Sequence, residues 1–145
     1  MRKLLFLGIL CIGAYMDHKS KELNNAYLLV SFMIGSIFAV RSLVHNGNWM
    51  EILLSCGVGV GVLGVSYMTD GGIGEGDGWF FIISGLFLTW EENLFLLCFG
   101  WFLCFLYSLI VVGMMIGRRM TRQSESVPFL PFLVPAGLYL VCFSG

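Results

Sequence analysis

Six apolar stretches, at about residues 4–16, 26–44, 52–68, 79–90, 94–117 and 127–143, leave this chain little choice of surroundings. A bilayer core of ~30 Å asks for ~20 helical residues, and the second, fifth and sixth stretches come near that or exceed it. The first and fourth are short, reaching roughly 20 Å at ~1.5 Å per residue. Of the 145 residues, 58% are hydrophobic and only 12% charged, about half the ~25% charged share of a soluble domain. The pattern predicts an all-α fold, a polytopic membrane helix bundle of about six transmembrane helices. No linker or shift in composition divides residues 1–145, so a single integral-membrane domain is expected.

The same composition excludes several classes. A net charge of −1, with no basic tract interleaved with aromatics, argues against a nucleic-acid partner. Cys11, Cys56, Cys98, Cys104 and Cys142 all fall inside apolar segments and none forms a Cys-x-x-Cys pair, so they read as small buried hydrophobes. Asp70, Glu75 and Asp77 cluster, but the region has neither a phosphate loop's lysine nor EF-hand ligand spacing. No metal and no cofactor are expected. Arg2 and Lys3 before an apolar run imitate a signal peptide, yet no Ala-x-Ala site follows, and the first segment is expected to stay in place.

Polar breaks set the topology. His45-Asn46-Gly47-Asn48 reads as a turn, Glu91-Glu92-Asn93 as a tight outer turn, and residues 118–126 as a basic loop. With six spans the loops alternate sides, which puts Asp17 and Asp77 together with Lys19, Lys21, Arg118, Arg119 and Arg122. Arg2, Lys3 and Arg41 fall on the other side. The positive-inside rule then places both aspartates at the cytoplasmic face of the cell membrane. Arg41, inside an apolar span, is expected to snorkel outward rather than pair with Glu51. Gly57, Gly59, Gly61 and Gly64 suit close helix contact, and Trp79, Trp90 and Trp101 suit the membrane interface.

Chemistry concentrates at Gly71-Gly72-Ile73-Gly74-Glu75-Gly76-Asp77. Its glycines allow positive φ and close approach to a neighbouring chain. Its aspartate stands at the lip of a membrane helix, where an acid is expensive and usually functional. Asp17 ends the first apolar segment, and two equally short spans bring both carboxylates to matching depth. Like charges held close cannot both ionise, so such a pair shares one proton near working pH. One carboxylate then takes a proton from water while a carboxylic acid protonates a carbonyl oxygen, the two exchanging roles through the cycle. Taken singly, a glycine-rich loop is often only a turn and a helix-end aspartate only a cap.

The residues resemble the type IV prepilin peptidases, membrane aspartyl proteases marked by Gly-x-Gly-Asp. Gly74-Glu75-Gly76-Asp77 matches that motif. Asp17, followed by Leu23-Asn24-Asn25, is similar to the family's first aspartate with its Ile-Pro-Asn triplet, so Asn25 fits and the proline is missing. Residues 127–133 look like the family's Pro-Phe-x-Pro-Phe entry into the last helix. Trp79 stands where the family commonly has lysine, a departure that fits a divergent, compact subgroup such as the Tad-type or preflagellin-type enzymes. The resemblance implies cleavage of a basic leader from a prepilin-like single-pass membrane protein at the cytoplasmic face. Asp17 and Asp77 would be the catalytic pair, Gly74, Gly76 and Asn25 would support them, and Glu22, Asp70 and Glu75 would face the leader. Longer members carry an additional region with paired cysteines that is associated with methylating the product; this chain is expected to act as a peptidase alone. Other readings are a small transporter, a non-catalytic pilus-assembly factor of the same fold, and a presenilin-type protease. Substrate identity and oligomeric state are not legible.

Overall fold

The computed structural model describes residues 2–20, 23–69, 74–118 and 128–143. Six α-helices follow in order: α1 (Arg2–Ser20), α2 (Asn25–Asn46), α3 (Trp49–Met68), α4 (Glu75–Ser84), α5 (Trp90–Arg118) and α6 (Val134–Phe143). A 3-10 turn at Leu130–Leu133 leads into α6, and no strand occurs among the described residues. The all-α membrane bundle is therefore the observed fold. Every apolar window became a helix, but only Asn25–His45, Trp49–Met68 and Trp90–Met114 are long and apolar enough to cross a membrane. The remaining helices are shorter or more polar, and they are the ones that build the site.

Local signals explain the boundaries. Asn24 caps α2, its side chain accepting the Ala26 N–H at 2.9 Å. Gly47, at φ 65°, closes the same helix in the left-handed region and donates its N–H to Leu43 O, an arrangement glycine adopts without steric penalty. The turn expected at His45-Asn46-Gly47-Asn48 is thus present.

Two boundaries differ from expectation. The fourth helix ends at Ser84, not near Trp90, and the chain turns through residues 85–89. Glu91, Glu92 and Asn93 are no outer turn but the first turn of α5. The cause is a reciprocal cap: the Thr89 N–H donates to Glu92 Oε2 at 3.2 Å and the Glu92 N–H to Thr89 Oγ1 at 3.3 Å. A Thr-x-x-Glu pair of this kind starts a helix at the next residue. The sixth window was expected to approach a full span, but it gives only the four-residue 3-10 turn and the ten-residue α6. Pro131 and Pro135 fall in its first turns, where their missing N–H groups are tolerated and a longer helix is not.

In lipid, helices gain nothing from leaving water, so close packing and buried hydrogen bonds must hold them. The antiparallel pair α3 and α4 meets backbone to backbone. A Cβ on Gly59 would fall on the Ile82 backbone nitrogen, one on Gly78 would lie 2.6 Å from Leu63, and one on Gly85 2.7 Å from the Cys56 nitrogen. Gly57, Gly61 and Gly64 have no such neighbour, so Gly59 alone of the α3 glycines makes the close contact. Beside this seam Asn93 is fully buried. Its Nδ2 donates to Ser55 O at 2.8 Å and Phe81 O at 3.2 Å, and its Oδ1 accepts from the Ser84 hydroxyl at 2.6 Å. One side chain thereby ties α3, α4 and α5 together. The apolar centre is a run of rings in which Phe6 stands 6.2 Å from Phe80 and 6.1 Å from Phe87, with Phe38 5.9 Å from Phe87.

Candidate active site

Asp17 lies in the last turn of α1, just beyond its apolar stretch, and is buried to 8% exposure. Its Oδ2 accepts the N–H of Leu130 at 2.9 Å, a residue 113 positions later in the chain. The Pro128-Phe129-Leu130-Pro131 segment therefore brings the free N–H groups at the start of the last helical piece onto the carboxylate. Space for this is made one turn earlier. A Cβ on Gly13 would lie 2.6 Å from the Tyr27 hydroxyl and 3.0 Å from Leu130 Cδ2. Gly13 thus admits Tyr27, which donates to Ile9 O at 2.6 Å, and lets Leu130 close on α1.

Asp77 stands in the first turn of α4, half-buried, with its N–H donated to Gly74 O at 3.0 Å. Gly74, Gly76 and Gly78 all have negative φ, since Gly47 alone has positive φ among the described residues. The motif glycines described here thus serve close approach and not a left-handed backbone. A Cβ on Gly76 would come 3.3 Å from Leu23 Cδ1, so the chain after α1 lies directly over the motif. Gly74 leaves the Asp77 carboxylate open, an added Cβ there lying 3.4 Å from Oδ2.

Electrostatics links the two acids. Burial raises the Asp17 carboxyl above its ordinary 3.8, against the backbone N–H groups of Leu130 and Phe129 and the nearby His18, which favour the charged form. Asp77 is pushed from 3.8 up to about 7, first by burial and then by the charge of Asp17. Burial outweighs the preference of a helix N-terminus for an anion at this residue. The charge of Asp17 is thus the second cause of the Asp77 shift, after burial, and neither helix that carries the two acids is one of the three long spans.

The other proposed site residues are more scattered. Asn25 opens α2 and is exposed, while its neighbour Asn24 does the capping. Glu75 is exposed at the start of α4, on the rim beside Asp77. Glu22 and Asp70, with Gly71, Gly72 and Ile73, lie outside the described residues. Among the described residues no group of three or more His, Cys, Asp or Glu converges as a metal site would. The contributions of Gly13, Tyr27, Leu23 and the Leu130 N–H escaped the sequence reading. Only the proline-rich entry to the last helix hinted at the last of these.

Two carboxylates whose protonated forms are favoured by burial, one of them drawn back toward the charged form by backbone N–H groups, have the chemical means to take up and give protons near neutral pH. No curated protein and no solved structure matches the chain. The model of the type IV leader peptidase family matches residues 4–110, a stretch that holds both aspartates and the Gly-x-Gly-Asp tetrapeptide. With three helices long and apolar enough to cross a membrane, this chain belongs to the type IV leader peptidase family.

Proposed function

We propose that Asp17 and Asp77 are the catalytic pair of an aspartyl endopeptidase that removes the basic leader of a prepilin-like, single-pass membrane protein at the cytoplasmic face. The observation carrying this is the coupling of the two acids: Asp77 is pushed to about 7 by burial and by Asp17. Backbone N–H donors draw Asp17 toward the charged form, so the single proton of the resting pair favours Asp77. In the reaction, water loses a proton to the charged carboxylate and its oxygen bonds to the scissile carbonyl carbon. The protonated carboxyl gives its proton to the carbonyl oxygen. Collapse of the tetrahedral species breaks the C–N bond, the leaving amine takes up a proton, and the pair regains its single proton. Because the roles alternate, neither residue is the base throughout.

Exposed Glu75 beside Asp77 suits a basic leader, and Glu22 and Asp70 are proposed to add to it. A substrate helix lying against the bundle would present its cytoplasmic end to a dyad set just below the surface. Cleavage without methyl transfer is the activity assigned to these 145 residues.

One observation favours a purely structural Asp17: its bond to Leu130 is also what a helix cap would make. Asp17→Asn separates the two roles, because the amide oxygen still accepts an N–H but cannot share a proton. In cells co-expressing a cognate prepilin, Asp17→Asn and Asp77→Asn should each abolish the precursor's gel shift while inserting normally. The double variant should be no worse, since both act as one unit. Asp70→Asn should stay active. Normal processing by either single variant would falsify the mechanism.

A further inference from the structure

At the end of the bundle away from the aspartates, an open-sided cleft of about 230 Å³ is lined by Arg2, Phe38, Arg41, Ser42 and His45. Arg2 comes from the first turn of α1, and the others from the last two to three turns of α2. Among the described residues the polar groups lining the cleft are cations or hydrogen-bond donors, and none is a carboxylate. The nearby Lys3 is taken by Glu92 at 2.5 Å. Neither Arg2 nor Arg41 makes an ion pair among the described residues, and the alternative partner Glu51 does not reach Arg41.

Two features of the surroundings identify what the cleft suits. A cation in the first turn of a helix opposes the helix dipole, so Arg2 is unfavourable where it stands unless an anion joins it. Below the polar rim, Phe38 is tied into the ring cluster through Phe87, while Ile37, Val40 and Val44 on the same helix are exposed along the adjoining face. The volume is several times the ~30 Å³ share of one water, enough for a tetrahedral oxyanion and its ester.

We propose that this cleft binds a phosphate group through the guanidinium groups of Arg2 and Arg41, with Ser42 as a neutral donor. Phosphate oxygens match the forked donors of arginine. Two sources share this chemistry: the phosphodiester of an anionic membrane lipid and a free phosphate ion. The exposed apolar face toward the middle of α2 favours the lipid, whose acyl chains would lie along Ile37 and Val40. The site is independent of peptide cleavage and stands at the other end of α1 from Asp17.

The test uses the whole chain purified in phosphate-free maltoside micelles, titrated separately with dioleoyl phosphatidylglycerol and with sodium phosphate. Binding is read by native mass spectrometry and by the thermal unfolding midpoint. At about 1 kcal/mol for each arginine near a headgroup, Arg2→Gln and Arg41→Gln should each weaken lipid binding about fivefold, and together about twenty-five-fold. The Lys-for-Arg double variant keeps both charges and should hold binding within about fivefold of wild type, which separates lost charge from lost fold. Tight lipid binding with no effect of sodium phosphate assigns the site to a lipid. A phosphate response abolished by the double Gln variant assigns it to the free ion. Equal binding by wild type and the double Gln variant, or no binding of either probe to wild type, overturns the proposal.

Discussion

Replacing Asp77 by asparagine keeps the side chain's size and removes its charge, which isolates the electrostatics of the pair from its packing. In the folded protein the Asp77 carboxyl is raised from 3.8 to about 7, chiefly by burial and secondly by Asp17. A raised carboxyl means that the folded state holds its proton more tightly than the unfolded chain does. The associated stability is complete below about pH 4 and is lost as pH climbs toward 7. At about 1.4 kcal/mol per pH unit, that interval amounts to roughly 4 kcal/mol at neutral pH and above. Asparagine has no proton to lose. Wild type and Asp77→Asn should therefore unfold alike near pH 4 and separate steadily above it, the inactive variant being the more stable by up to ~4 kcal/mol at pH 8. Thermal unfolding in detergent micelles across pH 4–8 measures the difference. In an Asp17→Asn background the separation should shrink, because the second cause of the shift is gone. Cleavage by the wild type should fall with half-loss near pH 7, as the pair loses the proton it needs. A stability difference that stays constant across this range would refute the argument, since packing alone has no reason to follow pH.

The other predictions concern the frame around the pair. Asn93→Leu should destabilise the bundle by about 2 kcal/mol, on the ~0.6 kcal/mol typical of each interhelical hydrogen bond in lipid, as measured by the unfolding midpoint in micelles. Gly59→Ala should destabilise by about 1–3 kcal/mol through overpacking against the α4 backbone, whereas Gly61→Ala, with open space around it, should be neutral or slightly stabilising by the same measurement. Reporter fusions after Gly47 and after Arg122 should report opposite compartments, the second cytoplasmic; an external Arg122 fusion would reverse the orientation assigned from charge.

Hydrophobic windows alone made the helix count and the all-α fold legible, because a membrane demands long apolar runs whatever the tertiary contacts. The ends of those runs were less readable. Helix α4 stops at Ser84 inside an unbroken apolar stretch, and the signal for it, Thr89 with Glu92, is a capping pattern that hydropathy does not register. Asn93 looked like turn punctuation beside two glutamates, yet it is a buried tie whose partners lie as many as 38 residues away. Both aspartates stood out because each sits in a short polar motif at the end of an apolar stretch. What holds Asp17 was not, since its hydrogen bond spans nearly the whole chain and no periodicity encodes such a contact. The positive φ that the motif glycines would allow is not used at the described ones; Gly76 has negative φ and packs against Leu23.

The Asp17–Leu130 hydrogen bond also orders events in time. During synthesis α1 enters the membrane long before residue 130 leaves the ribosome, so the first aspartate waits at the bilayer edge without the backbone groups that later hold it. If Asp17 is half of the proposed pair, cleavage would begin only once the last helix docks and supplies these backbone groups. Cutting the gene ahead of Pro128 should yield an inserted but inactive fragment, and supplying residues 128–145 as a separate segment should restore cleavage. An active fragment without that segment would show that the docking is dispensable.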